Sequence, residues 1–184
     1  MTITYIVLGV IAVIILWLIF SYNRLITFRN RAREALSDID VQLKRRFDLI
    51  PNLVESVKGY MQHERGVLEN VTKARAAVSQ SSGNPIERAE SENMLSNTLK
   101  TLFAVAENYP DLKASANFLD LQRELADTEN KIQASRRFYN TTIMDLNTAV
   151  QTFPTNIMAK PFGFKEELFF DIPESEEQPV KVQF

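Results

Sequence analysis

Three groupings in this 184-residue chain place reactive side chains close enough in sequence to suggest chemistry. His63-Glu64 is the first, because His-Glu begins a zinc-peptidase pattern that puts a second histidine on the same helical face four residues after the first. That position is Val67, which ligates nothing, so a polar interruption of an apolar stripe is the better reading. Asp38 and Asp40 form the second grouping. Two residues apart on a helix they point to different sides and make a poor carboxylate pair; Asp40 is better matched to Lys44, one turn on. The third is the run Lys44-Arg45-Arg46-Phe47-Asp48-Leu49-Ile50-Pro51-Asn52-Leu53. Lys44, Arg45, Arg46, Asp48, Pro51 and Asn52 can form a docking point for a partner. They can equally form an internal joint, with Pro51 setting a bend, Asn52 bonding the freed carbonyls and the cations answering carboxylates on neighbouring helices.

Composition narrows the chemistry further. With Cys 0 there is no disulfide, thiolate metal site or cysteine nucleophile, and with His 1 no histidine pair. The five glycines spell neither dinucleotide nor P-loop phosphate-binding pattern. A formal net charge of −2 argues against nucleic acid as a partner. No catalytic residue, metal ligand or cofactor is assigned.

The elements that must position these residues begin with an anchor. Ile3 to Phe20 carries no charge and is dominated by Val, Ile, Leu and Phe, with Tyr5, Trp17 and Tyr22 near its edges. At about 1.5 Å per residue it reaches across a hydrocarbon core of about 30 Å. A cleaved signal peptide needs a basic region in front and small residues behind, and neither is present, so an uncleaved anchor is expected. Arg24, Arg29, Arg31 and Arg33 follow the span and no Lys or Arg precedes it, which favours a cytoplasmic body. These arginines are candidate lipid contacts, each worth about 1 kcal/mol beside anionic headgroups, or else a solvated helix face.

Beyond the anchor, apolar residues recur every three or four positions through Leu25, Phe28, Ala32, Leu36, Ile39, Leu43, Phe47, Ile50, Val54, Val57 and Met61, resuming at Leu68, Val71, Ala74 and Val78. The register passes through Pro51 without a slip. This predicts one kinked helix from Arg24 to about Ser79, with a break near Pro51, capped by Asp48, as the alternative. Further helices are expected over about Ile86–Tyr109 and Lys113–Thr152. The result is an all-α chain: a transmembrane helix, then an elongated up-and-down bundle of three long helices, four if the first breaks at Pro51. The divisions are 1–22 for the anchor, 23–153 for the bundle and 154–184 for the tail. Six of twelve phenylalanines lie from Phe153 onward, too many for a disordered tail, so 153–170 is expected to dock on the bundle, a partner or a membrane. Phe162, Phe164, Val182 and Phe184 are the docking candidates, the last two in an extended acidic stretch that could add as a strand to a partner.

The signature run resembles the core motif of the LemA family. Tyr22-Asn23, Asp38 to Glu55, Val57-Lys58-Gly59-Tyr60, His63-Glu64, Tyr139-Asn140, Phe153-Pro154-Thr155-Asn156, Phe162-Gly163-Phe164 and Pro179-Val180-Lys181-Val182 all fit, from Tyr22 to the end. Leu36 departs from it, where many members carry tryptophan. The resemblance implies a helical bundle behind an N-terminal membrane segment of a bacterial cell-membrane protein, and no established activity. Some members are lipid-anchored through a cysteine just before the matching Tyr-Asn and are exported, opposite to the topology the arginines favour; one belongs to the magnetosome membrane.

The functional expectation is a non-enzymatic, single-pass membrane scaffold or adaptor acting through protein contacts. The alternative is a membrane-organising, lipid-binding protein; a hydrolase working without Cys or His is the least favoured. The partners expected are the bilayer and an unidentified membrane-associated protein, with self-association through exposed seams compatible with the pattern and nucleic acid excluded. Charge is unevenly spread: residues 21–46 hold seven cations and three carboxylates, whereas 166–184 hold six carboxylates and one lysine.

Overall fold

A computed structural model describes residues 2–81 and 85–170, which form helices and no strand: α1 (Thr2–Lys58), α2 (Arg65–Gln80), α3 (Pro85–Ala106), α4 (Pro110–Lys113), α5 (Ala116–Gln151) and α6 (Thr155–Ala159). The chain is all-α, with a long apolar N-terminal helix and a helical bundle. By compactness the described residues divide into two units, 2–37 with 137–168 and 38–136 with 169–170.

α1 continues through Pro51, and the expected helix to Ser79 instead ends at Lys58. Gly59, a poor helix former, begins the reversal, and Tyr60 and Met61 both donate backbone N–H groups to the Val57 carbonyl at 3.0 and 2.9 Å. Val57 and Met61 are fully buried on either side of this turn, which explains why the apolar spacing runs across it without a gap. Among the described residues there are therefore four long helices, but the division falls at Gly59 and not at Pro51. The helix expected from Lys113 to Thr152 is α5, preceded by the separate single turn α4.

A proline inside a helix leaves the carbonyl four residues back without its donor. Here that carbonyl belongs to Phe47, and Arg75 on α2 supplies the missing N–H from its Nε at 3.1 Å. The same guanidinium lies 3.7 Å from the centroid of the Phe47 ring. One side chain thus repairs the backbone and packs on the adjacent aromatic face. Asn52, expected in this role, is exposed.

The core of the 38–136 unit joins Ile50, Leu53 and Val57 of α1 to Val71 and Ala74 of α2, Leu95, Leu99 and Leu102 of α3, and Phe118 and Leu125 of α5. α2 returns antiparallel to α1, which brings Arg75 to Phe47. Contacts of α3 with α5 pair Phe103 with Phe118, Ser96 with Glu129 and Asn93 with Arg136, so these two helices are also antiparallel. In the 2–37/137–168 unit, Leu25 is fully enclosed by Ala149, Met158, Ala159 and Phe164, with Trp17, Leu18, Ile26, Phe28 and Val150 around them.

Arg75→Met should cost about 1–3 kcal/mol, because the partly buried Phe47 carbonyl loses its donor. In a Pro51→Ala background the alanine N–H returns to that carbonyl, and the same Arg75→Met change should cost only about 1 kcal/mol, the ring contact alone. Equilibrium unfolding of the four members of this cycle measures the difference; equal costs in both backgrounds would show that Arg75 does not serve the proline.

Candidate functional site

The cation run lies on the second half of α1, and its three members meet different fates. Arg46 is fully buried. Its Nη1 donates to Ser96 Oγ at 2.5 Å and to Glu129 Oε2 at 2.6 Å. Its Nη2 donates to the Glu92 carboxylate, itself buried, and to the Glu92 backbone carbonyl at 3.3 Å. Ser96 Oγ in turn donates to Glu129 Oε1 at 3.0 Å. One guanidinium thereby ties α1 to α3 and α5 through charge-assisted bonds in a space shielded from water.

Arg45 sits at the rim, 3.8 Å from Glu124 and 4.0 Å from Asp127 of α5, all three substantially exposed. Such a loose exposed group contributes little stability. A hydrogen bond from Lys131 holds the Asp127 carboxyl below its ordinary range, and the Arg45 charge adds to the effect. Lys44 bonds Asp48 at 3.0 Å along the exposed surface of its own helix. The expected Asp40–Lys44 pair is replaced by Asp40 with Arg88 of α3 at 2.7 Å.

His63 is exposed, while Glu64 accepts a hydrogen bond from the Tyr109 hydroxyl at 3.3 Å. Burial of the phenol and the neighbouring Glu64 charge raise the Tyr109 pKa above its usual value. Among the described residues no group of three or more His, Cys, Asp or Glu side chains is arranged to hold a metal ion.

Beyond the apolar stretch 3–20, Arg24, Arg31 and Arg33 are exposed, with the Arg24 guanidinium 5.3 Å from the Phe28 ring centroid. Arg29 is half-buried and faces the protein: its guanidinium stands 5.1 Å from the centroid of Phe164. Phe164 is buried and Phe162 meets the edge of Tyr22 at 5.0 Å. Phe153, at the start of the same segment, is exposed. Val182 and Phe184 lie outside the described residues.

Two residues outside the candidate groupings hold the rest of the tail. The buried Asn147 amide clamps Glu167, donating to its carbonyl and accepting from its N–H, each at 2.9 Å. The Tyr139 hydroxyl donates to the Leu168 carbonyl at 3.1 Å, and burial, followed by the Glu167 charge, raises its pKa. Glu92, Ser96, Glu129 and Arg75 also lie outside those groupings. For Glu92 a signal existed, since it stands on the apolar face of α3 between Ala89 and Leu95.

The profile of the LemA family matches residues 35–184, a stretch that contains the whole Arg46 cluster and its proline joint. The chain belongs to the LemA family. Similar proteins include Protein LemA of Metamycoplasma hominis, 28% identical over 158 residues covering 86% of this chain and 72% of that protein. Magnetosome protein MamQ of Magnetospirillum gryphiswaldense is 24% identical over 188 residues, 89% of this chain and 69% of its own. Magnetosome protein MamQ 2 of Paramagnetospirillum magneticum is 24% identical over 199 residues, covering 95% of this chain and 73% of its own. In this LemA-family chain, the part of the signature that looked most reactive in sequence is joined to α2, α3 and α5.

Arg46→Met should destabilise the protein by about 3–5 kcal/mol, because Glu92 is left buried without its counter-charge. Adding Glu92→Leu should recover most of the loss. Thermal and denaturant unfolding of the full chain measure both; a single variant within about 0.5 kcal/mol of the parent would contradict a buried role.

Proposed function

We propose that this LemA-family protein is a membrane-anchored, non-enzymatic helical scaffold that works through protein contacts at a bacterial membrane. The apolar stretch 3–20 supports the anchor, being almost wholly exposed on α1 at a mean hydropathy of 2.9. So large an apolar surface is stable only in lipid or under another covering layer. Relatives named as magnetosome proteins support residence at a membrane.

The observation that carries the scaffold reading is a groove of about 960 Å³ between the end of α1 and α2. Val54 and Leu68 contribute apolar surface to it, over the buried Met61, and Glu55, Lys58, Arg65, Glu69 and Lys73 contribute charged groups. An apolar strip flanked by charges of both signs suits an amphipathic segment of a partner protein. The lipid-organising reading draws on Arg24, Arg31 and Arg33, exposed just past the span.

A photo-crosslinking residue at Thr72, in the groove, should capture a discrete protein adduct in living cells. The same residue at the exposed Lys100 on α3 should not. Adducts at both positions alike, or to lipid alone at Thr72, would contradict a scaffold that uses this groove.

A further inference from the structure

We infer that the segment from Phe153 to Phe162 is a second membrane contact, a wedge of apolar side chains that inserts at the surface of an anionic leaflet beside the span. The inference rests on reading residues 3–20 as the membrane anchor.

Position is the first support. α6 and the turn after it pack on α1 at the end of the apolar stretch: Met158, Ala159 and Phe164 share one cluster with Leu25, Trp17 and Leu18. Phe162 meets Tyr22, two residues beyond the last apolar position of the span, with ring centroids 5.0 Å apart. A helix that leaves the hydrocarbon core near Phe20 therefore holds this turn at the level of the headgroups.

Exposure is the second. Phe153, Ile157 and Phe162 are 79%, 58% and 53% exposed, while Met158, Ala159 and Phe164 between and after them are buried. The segment is thus divided into a buried face that docks on α1 and an apolar face that stays exposed, with Phe162 touching Tyr22 by one side of its ring. Gly163 makes the division at the turn. Its φ of +72° is a conformation other residues rarely adopt, and it allows Phe164 to enter the core while Phe162 stays out.

Charge and backbone satisfaction complete the case. From Thr152 to Phe164 the one charged residue is Lys160, and Arg24 follows the span on α1. Cations beside apolar side chains match an anionic interface, where an aromatic ring or aliphatic chain buries about 5–10 Å deep. The backbone is already hydrogen-bonded internally, with Asn156 N–H donating to Thr152 at 2.9 Å and Phe164 N–H to Ala159 at 2.9 Å, which lowers the cost of leaving water.

The absence of cysteine makes a single-label experiment clean. Phe153→Cys, Ile157→Cys, Phe162→Cys, Val13→Cys and Lys100→Cys, each in the full chain, carry an environment-sensitive fluorophore in vesicles of phosphatidylcholine and phosphatidylglycerol. Quenchers are attached to the lipid either near the headgroup or near the acyl-chain end. At 153, 157 and 162 the shallow quencher should remove roughly half of the emission or more, as expected for side chains at that depth, and the deep one little. At 13 the deep quencher should dominate, and at 100 neither should act. Quenching at 13 with none at 153, 157 and 162 would overturn the wedge and leave the anchor standing. A dry, unquenched fluorophore at 157 or 162 would mean that protein, not lipid, covers the turn. Loss of quenching at 13 would remove the anchor and the wedge with it.

Discussion

A guanidinium with no exposed surface obliges the helices around it to deliver counter-charge at fixed positions, and Arg46 imposes that condition on α1, α3 and α5 together. Removing two or three ionised groups from water costs several kcal/mol each before their attraction is counted. Here the cost is offset because both terminal nitrogens donate to acceptors on the two neighbouring helices, and Ser96 joins the two halves of the cluster by donating to Glu129. Apolar packing alone tolerates a helix that slides or rotates. A cluster with this donor geometry does not, so it fixes the register of the three helices.

The joint at Pro51 follows the same logic on the backbone. A proline four residues past Phe47 removes one hydrogen bond, and α2 restores it with Arg75. Because the donor comes from another helix, the repair also locates α2 against α1. The signature run thus encodes two inter-helical fastenings within a few residues of each other.

Much of this was legible in the sequence, and the misses have identifiable causes. The three-to-four spacing gave the helices, and the uncharged stretch from Ile3 to Phe20 gave the candidate anchor. Of the expected stripe on α1, Leu25, Ala32, Ile39, Leu43, Ile50 and Val57 are buried, but three positions fall one residue off the buried face. Leu36, Phe47 and Val54 are half-buried, whereas Ala35, Arg46 and Leu53 line the buried face. An arginine in that row is invisible to a pattern that counts only apolar residues, and its carboxylate partners lie about fifty and eighty positions away, beyond the reach of local spacing. The stop at Gly59 was masked because Val57 and Met61, on either side of the turn, continue the apolar rhythm. Proline was the more conspicuous breaker, yet Pro51 is accommodated by a side chain from α2 that no local rule foresees. In the tail, composition could not tell which phenylalanines face inward: Phe164 is buried against α1 and Phe153 is exposed.

Arg46, alone of the three adjacent cations, is an internal fastening, and its own side chain tests this most directly. In arginine-labelled full-length protein in a lipid bilayer, nitrogen NMR can resolve the terminal nitrogens of a guanidinium that is held rigidly and shielded from water. Arg46, assigned by the loss of its signals in Arg46→Met, should show separate Nη resonances whose protons exchange slowly with solvent. A single averaged Nη signal in rapid exchange would mean that Arg46 is free at the surface, and the helices would then have to be held in register by something else.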